Sequence, residues 1–346
     1  MGVTIRDVAK AAGCSPMAVS KVLHGCGVTV RVGEERAREI RRVAEELNYI
    51  PNQNARNLRG ERRYNIGLVM DSLGPMAIGS RYLAHLYDGL QSACFEKGYS
   101  LTICPKLHAD HKRFIADGRF DGIVWAKYHL DPETSRIAER VGLKIVHLHV
   151  PPSLAPDDTQ DYFCADNKQA MMLGVKHLFD LGHTKIDFGM DADNIGSAED
   201  ADRWEAFQAA CAQLGITPGK RVEMYYTTED AEKWLCEPDR GTGIVLRTEN
   251  LASHIYSAAQ RLQLNVPRDL SVVGFDSTEF CETLTPRLTA IHQPIRDLVY
   301  EAVSLLIRRI EGDDTGTRTH LFPCGFDIRE STAPPARLTT LGSSSG

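Results

Sequence analysis

The sequence predicts an α/β protein: a body of two lobes, each a parallel sheet flanked by helices, behind a small all-α head. Three observations lead there. From about residue 65 onward short apolar runs alternate with amphipathic helical patterns, which is how βαβ units read. The first 63 residues hold 12 Lys+Arg against 7 Asp+Glu, while the remainder holds 28 against 39, so a basic head precedes an acidic body. A length of 346 residues also exceeds one domain of about 150 residues.

The head, residues 1–50, reads as three short helices. Thr4 caps a first helix through Ala11, with Ile5, Val8 and Ala9 on one face and Gly13 ending it. Ser15 caps a second, with Pro16 at the first helical position, where a missing N–H costs nothing. Val19, Val22 and Leu23 give that helix its apolar side, so Pro16, Met17, Ser20, Lys21 and His24 are expected to point outward. A third helix runs from about Glu34 to Asn48 on Ala37, Ile40, Ala44 and Leu47. Two helices joined by the tight Gly13-Cys14 turn and closed by a third make a helix-turn-helix pattern, whose second helix enters a major groove.

Residues 51–63 are polar and basic around one isolated leucine, Leu58, and read as a linker or marginal helix. The body, 64–332, carries strand-like runs at 65–70, 100–104, 121–126, 143–149, 185–190, 243–247 and 271–275. Helical patterns lie between most of them, at 82–97, 166–181, 202–214, 250–262 and 296–311. Ligand-competent loops are expected at the carboxyl ends of the strands. Residues 333–346, rich in Pro, Ser and Gly, are expected to be a disordered tail.

Several function classes fall away. No run of about 18 apolar residues offers a membrane span, and the polar start MGVTIRDVAKAAG does not read as a secretory signal. The nine cysteines are odd in number, scattered and never in a C-x-x-C pair, which suits a reducing cytoplasm better than a disulfide framework. There is no G-x-x-x-x-G-K-[ST], G-x-G-x-x-G, G-x-S-x-G or H-E-x-x-H, so no enzyme chemistry, cofactor or metal is expected. His147 and His149 alternate on a strand and His108 and His111 share a loop, without the cysteine or carboxylate partners of a metal site.

Residues 4–24, TIRDVAKAAGCSPMAVSKVLH, resemble the DNA-binding motif of the LacI/GalR (lactose-repressor-like) family of bacterial transcriptional regulators. The resemblance continues through Glu46–Asn52, Ala55–Arg59, Ile66–Val69, Phe120–Ile123, Leu181–His183, Asp202–Phe207, Val272–Asp276 and Phe326–Thr332. It implies a hinge helix after the head and a body like periplasmic sugar-binding proteins. It also implies a cytoplasmic homodimer that reads a pseudo-palindromic operator in double-stranded DNA and represses under control of a small molecule, most simply a carbohydrate. Thr4, Ser15, Pro16, Met17, Ser20, Lys21 and His24 then face DNA, joined by Asn52, Ala55, Arg56, Leu58 and Arg59 of the hinge, with Leu58 as a minor-groove wedge. A solute-binding protein or sugar-processing enzyme on the same body is the alternative, and the basic helical head argues against it.

The resemblance assigns Arg203, read as opening the helix after the 184–190 strand, to the effector. Its fixed fork of donors suits hydroxyl pairs or a carboxylate. Asp276 ends the Val272–Phe275 strand, where a carboxylate accepts sugar hydroxyls. Thr248 follows the 243–247 strand, and Trp125 and Tyr226 are candidate stacking faces. The alternative for Arg203 and Asp276 is a buried ion pair that braces the lobe. Some positions depart from the family pattern: Lys21 replaces the usual arginine, His24 the usual asparagine, residues 25–33 run long and 105–119 run short.

Overall fold

A computed structural model describes residues 3–24, 31–49, 62–70, 81–104, 115–126, 132–151, 160–192 and 198–336. The chain separates into two compact units, Met1–Arg63 and Tyr64–Gly346.

In the first unit, α1 (Ile5–Ala11), α2 (Pro16–His24) and α3 (Glu34–Glu46) close a small core around Val8, Val19 and Ile40, all fully buried. Thr4 opens α1 with a reciprocal capping box: its amide donates to Asp7 Oδ2 at 2.8 Å, and the Asp7 amide donates to Thr4 Oγ1 at 3.4 Å. Ser15 caps α2 by accepting from the Ala18 amide at 3.2 Å. Gly13, at φ +60°, makes the turn between α1 and α2, and its carbonyl accepts from the Arg36 guanidinium of α3.

The second unit holds two six-stranded sheets among the described residues. The first lobe contributes β1 (Asn65–Met70), α4 (Arg81–Glu96), β2 (Ser100–Cys104), β3 (Gly122–Ala126), α5 (Pro132–Val141), β4 (Lys144–Leu148) and β5 (Asp161–Ala165). The second contributes α6 (Asn167–Asp180), β6 (Ile186–Asp191), α7 (Ala198–Gln213), β7 (Arg221–Met224), α8 (Thr228–Leu235), β8 (Gly243–Leu246), α9 (Leu251–Arg261), β9 (Ser271–Asp276), α10 (Phe280–Thr283) and β10 (Thr289–His292). The chain then returns to the first lobe with α11 (Ile295–Glu311) and β11 (Thr319–Phe322), and ends in the second with β12 (Gly325–Asp327).

Strand order is β11-β5-β4-β3-β1-β2 in one sheet and β12-β10-β9-β8-β6-β7 in the other, all parallel except β12 against β10. The lobes are therefore joined three times, after β5, after β10 and after β11. Helices cover both faces of the sheets, so strands such as β8 and β9 are buried at every residue and read as near-continuous apolar runs. Where α4 meets α11 the backbones touch: a Cβ on Gly89 would lie 2.5 Å from the Arg296 carbonyl oxygen.

Two expectations change here. Helix α7 begins at Ala198, so Arg203 sits in its second turn and does not open it. The tail expected from 333 is still body at that point: the Ala333 amide donates to Ser271 Oγ at 3.0 Å, and its carbonyl lies 3.0 Å from His183 Nε2. Residues 337–346 lie outside the described residues.

Candidate functional site

The head presents α2 by its caps and its core. Thr4 and Ser15 act through the backbone as caps, Pro16 starts the helix, Met17 is 56% exposed and Lys21 is half-buried. Ser20 does not point outward. It is buried at 4% exposure, in a run with Ala18 and Val19. Helix α2 packs on both α1 and α3, so the arc it hides is wider than the single stripe that Val19, Val22 and Leu23 mark. His24 ends α2, and the expected hinge residues Asn52, Ala55, Arg56, Leu58 and Arg59 lie outside the described residues.

In the body, the carboxyl ends of the strands gather a buried polar cluster. Arg203, 3% exposed, stands at its centre. Its Nη2 donates to Glu199 Oε1 at 2.6 Å and Gln293 Oε1 at 3.3 Å, its Nη1 to the Arg247 carbonyl at 2.7 Å, and its Nε to Asn167 Oδ1 at 3.2 Å. The guanidinium lies 3.7 Å from the Phe275 ring centroid, a cation–π contact. A second guanidinium, Arg247, faces Asp200 at 3.0 Å, Asp191 at 3.7 Å and Glu199 at 3.8 Å. Tyr226 donates its hydroxyl to Asp191 Oδ2 at 2.8 Å.

Asp276 ends β9 in the left-handed region, φ +94°, and accepts from the Thr248 hydroxyl at 3.3 Å. Burial, with the Glu249 carboxylate beside it, pushes its carboxyl up to about 7. Glu249 is held by the Thr278 amide at 2.8 Å, the Thr278 hydroxyl and the Cys281 thiol. Burial also raises Glu199, but Arg203, His149 and Arg247 outweigh it and hold the carboxyl below its ordinary value.

From the first lobe His149, just past β4 at φ +64°, joins this cluster. Its Nε2 meets the Tyr82 hydroxyl, and burial lowers its pKa. His149 Nδ1 and Gln293 Nε2 are buried without a hydrogen-bond partner among the described residues. Nearby, His85 Nε2 and Glu279 Oε2 lie 3.0 Å apart between the lobes.

Sequence reasoning placed Arg203, Asp276, Thr248 and Tyr226 in this cluster and missed Glu199, Arg247, Gln293 and His149. For His149 the signal was its position at the end of a strand. Trp125 is not in the cluster. It is 1% exposed and packs with Ile115, Phe120 and Ala138 against α5, because its place on β3 turns it into the core. Its paired histidine, His147, is equally structural, stacked on Tyr162 and bonded to Gln160. No group of three or more metal-ligating side chains occurs among the described residues.

Residues 4–52 match the family of bacterial regulatory proteins, lacI family. Residues 4–52 thus carry the N-terminal domain of that family. Residues 175–332 match the periplasmic binding protein-like domain. Over nearly its full length the chain is similar to the HTH-type transcriptional repressor PurR of Vibrio vulnificus, 28% identical over 91% of this chain and 94% of the relative. It is likewise similar to PurR of Photobacterium profundum, 29% identical over 95% and 98%. Its fold is that of the lac repressor dimer bound to operator and the anti-inducer ONPF, TM-score 0.81 at 23% identity over 96% and 100% of the two chains. The CelR–cellobiose complex shares it at 0.69 and 20% identity, over 95% and 99%. So does a LacI family regulator from Enterococcus faecium with bound ribose, at 0.67 and 20% identity, over 78% and 99%. By name these proteins are transcriptional repressors and regulators. No described helix is long and apolar enough to cross a membrane.

Proposed function

We propose that this LacI-family repressor works in the cytoplasm as a homodimer on a pseudo-palindromic operator, and that a carbohydrate bound between its lobes controls operator affinity. The observation that carries the reading is the buried polar cluster around Arg203 and Asp276, which draws side chains from both lobes to the carboxyl ends of their strands. Such a cluster inside a covered body is costly unless it serves a ligand or a brace. Solved relatives in fold hold cellobiose and ribose, which favours the ligand.

On the DNA side Pro16, Met17, Lys21 and His24 meet base edges and phosphates, with Thr4 and Ser15 fixing the helices that present them. A lysine at 21 is a point charge and not a planar fork, so it contributes affinity more than guanine discrimination. Hinge residues Asn52, Ala55, Arg56 and Arg59 contact the DNA, with Leu58 as a minor-groove wedge. A change of lobe angle on effector binding moves the operator equilibrium by about 1–3 kcal/mol.

The test is titration of the full chain with its own promoter DNA while sugars are added one at a time, with Leu58→Ala and Asp276→Asn alongside. The expected result is a sugar that shifts half-binding at least fivefold for wild type and not for Asp276→Asn, with DNA bending lost in Leu58→Ala. Operator binding that no sugar shifts, by a folded protein, would sink the carbohydrate reading.

A further inference from the structure

We infer that Arg329 is a positioning residue for the effector: it grips Ser277 and so holds the strained turn that aims the Asp276 carboxylate into the cleft. This role rests on the reading that Asp276 meets the effector.

Strand β9 runs out into two consecutive left-handed residues that are not glycine, Asp276 at φ +94° and Ser277 at φ +54°. Side chains avoid that region, and two such residues in a row persist only where the surroundings over-determine them. Both are buried, so the restraint comes from protein groups and not from water. The Asp276 carbonyl accepts from the Gln293 amide at 3.3 Å, and the Thr278 amide donates to Glu249 Oε2 at 2.8 Å. Between these two ties the Ser277 hydroxyl donates to Asp327 Oδ2 at 2.6 Å and accepts from Arg329 Nη1 at 3.0 Å.

Asp327 ends β12 and Arg329 follows it, so the grip on the turn comes from the segment that enters the second lobe from the third junction. Arg329 is itself fixed. Its Nη1 also donates to the Leu288 carbonyl at 2.9 Å, its Nε pairs with Glu282, and its backbone amide donates to Thr289 Oγ1 at 2.9 Å. A planar guanidinium held on two edges sets the Ser277 hydroxyl in direction as well as distance, which a lysine ammonium would not do. Release of Ser277 lets the turn relax toward ordinary backbone angles and rotates the Asp276 side chain away from the Thr248 hydroxyl, 3.3 Å from it now. Arg329 thus acts on the effector through another residue, from 53 positions along the chain.

The experiment compares wild type with Arg329→Met, which keeps a long side chain and removes its donors, as full chains. Amide exchange read by mass spectrometry is expected to speed up at least tenfold over residues 276–279 relative to β6. No rise, or a rise shared equally with β6, would mean that Arg329 only braces the lobe and would overturn the inference. The pH profile gives a second readout. Asp276 sits buried in the field of Glu249, Arg203, Glu199 and Arg247, and a carboxyl freed from that place reaches water. The gain of Asp276→Asn over its parent between pH 4.5 and pH 7.5 is therefore expected to shrink by at least half in the Arg329→Met background, and a mere brace would leave it unchanged. In equilibrium dialysis, whichever of D-ribose and cellobiose binds wild type is expected to bind Arg329→Met at least fivefold more weakly; equal binding overturns the inference. Ser277→Ala, which removes the gripped hydroxyl alone, provides the same comparisons should Arg329→Met not fold. Failure of both sugars on wild type would count against the carbohydrate effector alone, because the exchange and pH arms need no ligand.

Discussion

Gln169 and Cys324 exchange two hydrogen bonds of 2.9 Å, the carboxamide of one matched to the backbone amide and carbonyl of the other. Gln169 lies in the first turn of α6 and Cys324 between β11 and β12, so the pair ties one connection between the lobes to the helix that follows another. A side chain that satisfies both polar groups of a crossing segment fixes its path. Gln169→Leu leaves a part-buried donor and acceptor unmet and is expected to cost about 1–3 kcal/mol. Urea unfolding measures it, and Gln169→Glu, which keeps the acceptor, is expected to fall between. A Leu variant as stable as wild type would show the clamp to be idle.

Removal of Arg203 should be costlier. Arg203→Ala takes from Glu199 its hydrogen-bonded partner and leaves it the Arg247 guanidinium at 3.8 Å, and breaking such a buried pair costs about 3–5 kcal/mol. Arg203→Lys is not expected to rescue it, since one ammonium cannot span acceptors on Asn167, Glu199, Gln293 and the Arg247 carbonyl. Adding Glu199→Ala to Arg203→Ala should restore part of the loss, the mark of direct coupling in a double-mutant cycle.

Asp276 should make stability fall as pH rises. Its carboxyl titrates near 7 in the folded chain and near 3.8 as an ordinary aspartate, so the folded state holds the proton more tightly. Between about pH 4 and pH 7 the native protein therefore binds more protons than the unfolded one, and stability declines across that window. Asp276→Asn removes the effect, so the variant should gain on wild type from pH 4.5 to pH 7.5, by at most about 4 kcal/mol. Unfolding midpoints at the two pH values decide it; a constant difference would refute the assignment.

The head offers a smaller and cleaner test. Thr4→Ala breaks the reciprocal cap with Asp7 and should cost the isolated residue 1–63 unit about 1 kcal/mol. Because one box serves both residues, Asp7→Ala on top of Thr4→Ala should add little. Circular dichroism melts of the single and double variants would reveal additivity if the two caps were independent.

What the sequence disclosed follows from how local each signal was. Strands β1, β3, β8 and β9 are buried on both faces, so each reads as a near-continuous apolar run with no long-range knowledge needed. Strand β5 begins with Asp161, a charge hidden by a bidentate pair with Arg309 at 2.9 and 3.0 Å from 148 residues away, and no local pattern announces that. Strand β11, at the edge, alternates between exposed and half-buried and is too short to stand out. The cluster divides in the same way. Arg203 and Asp276 were marked by motif and strand end, whereas Gln293 and His149 acquire meaning only when β10 and β4 are brought to the same junction. Ser20 misled because a helix held between two neighbours hides more than one stripe.

Strands β11 and β12 come from the last residues of the body, yet each occupies the edge of a different sheet, one per lobe. Neither lobe is complete on the ribosome until some 320 residues have been made, although the head needs only the first 63. Synthesis thus releases a finished DNA-reading unit well before the part that governs it. A message cut short near residue 310 would yield a head without a finished governor, its sheets left with open edges that invite pairing with other chains. Closing both sheets accordingly falls to residues 319–327.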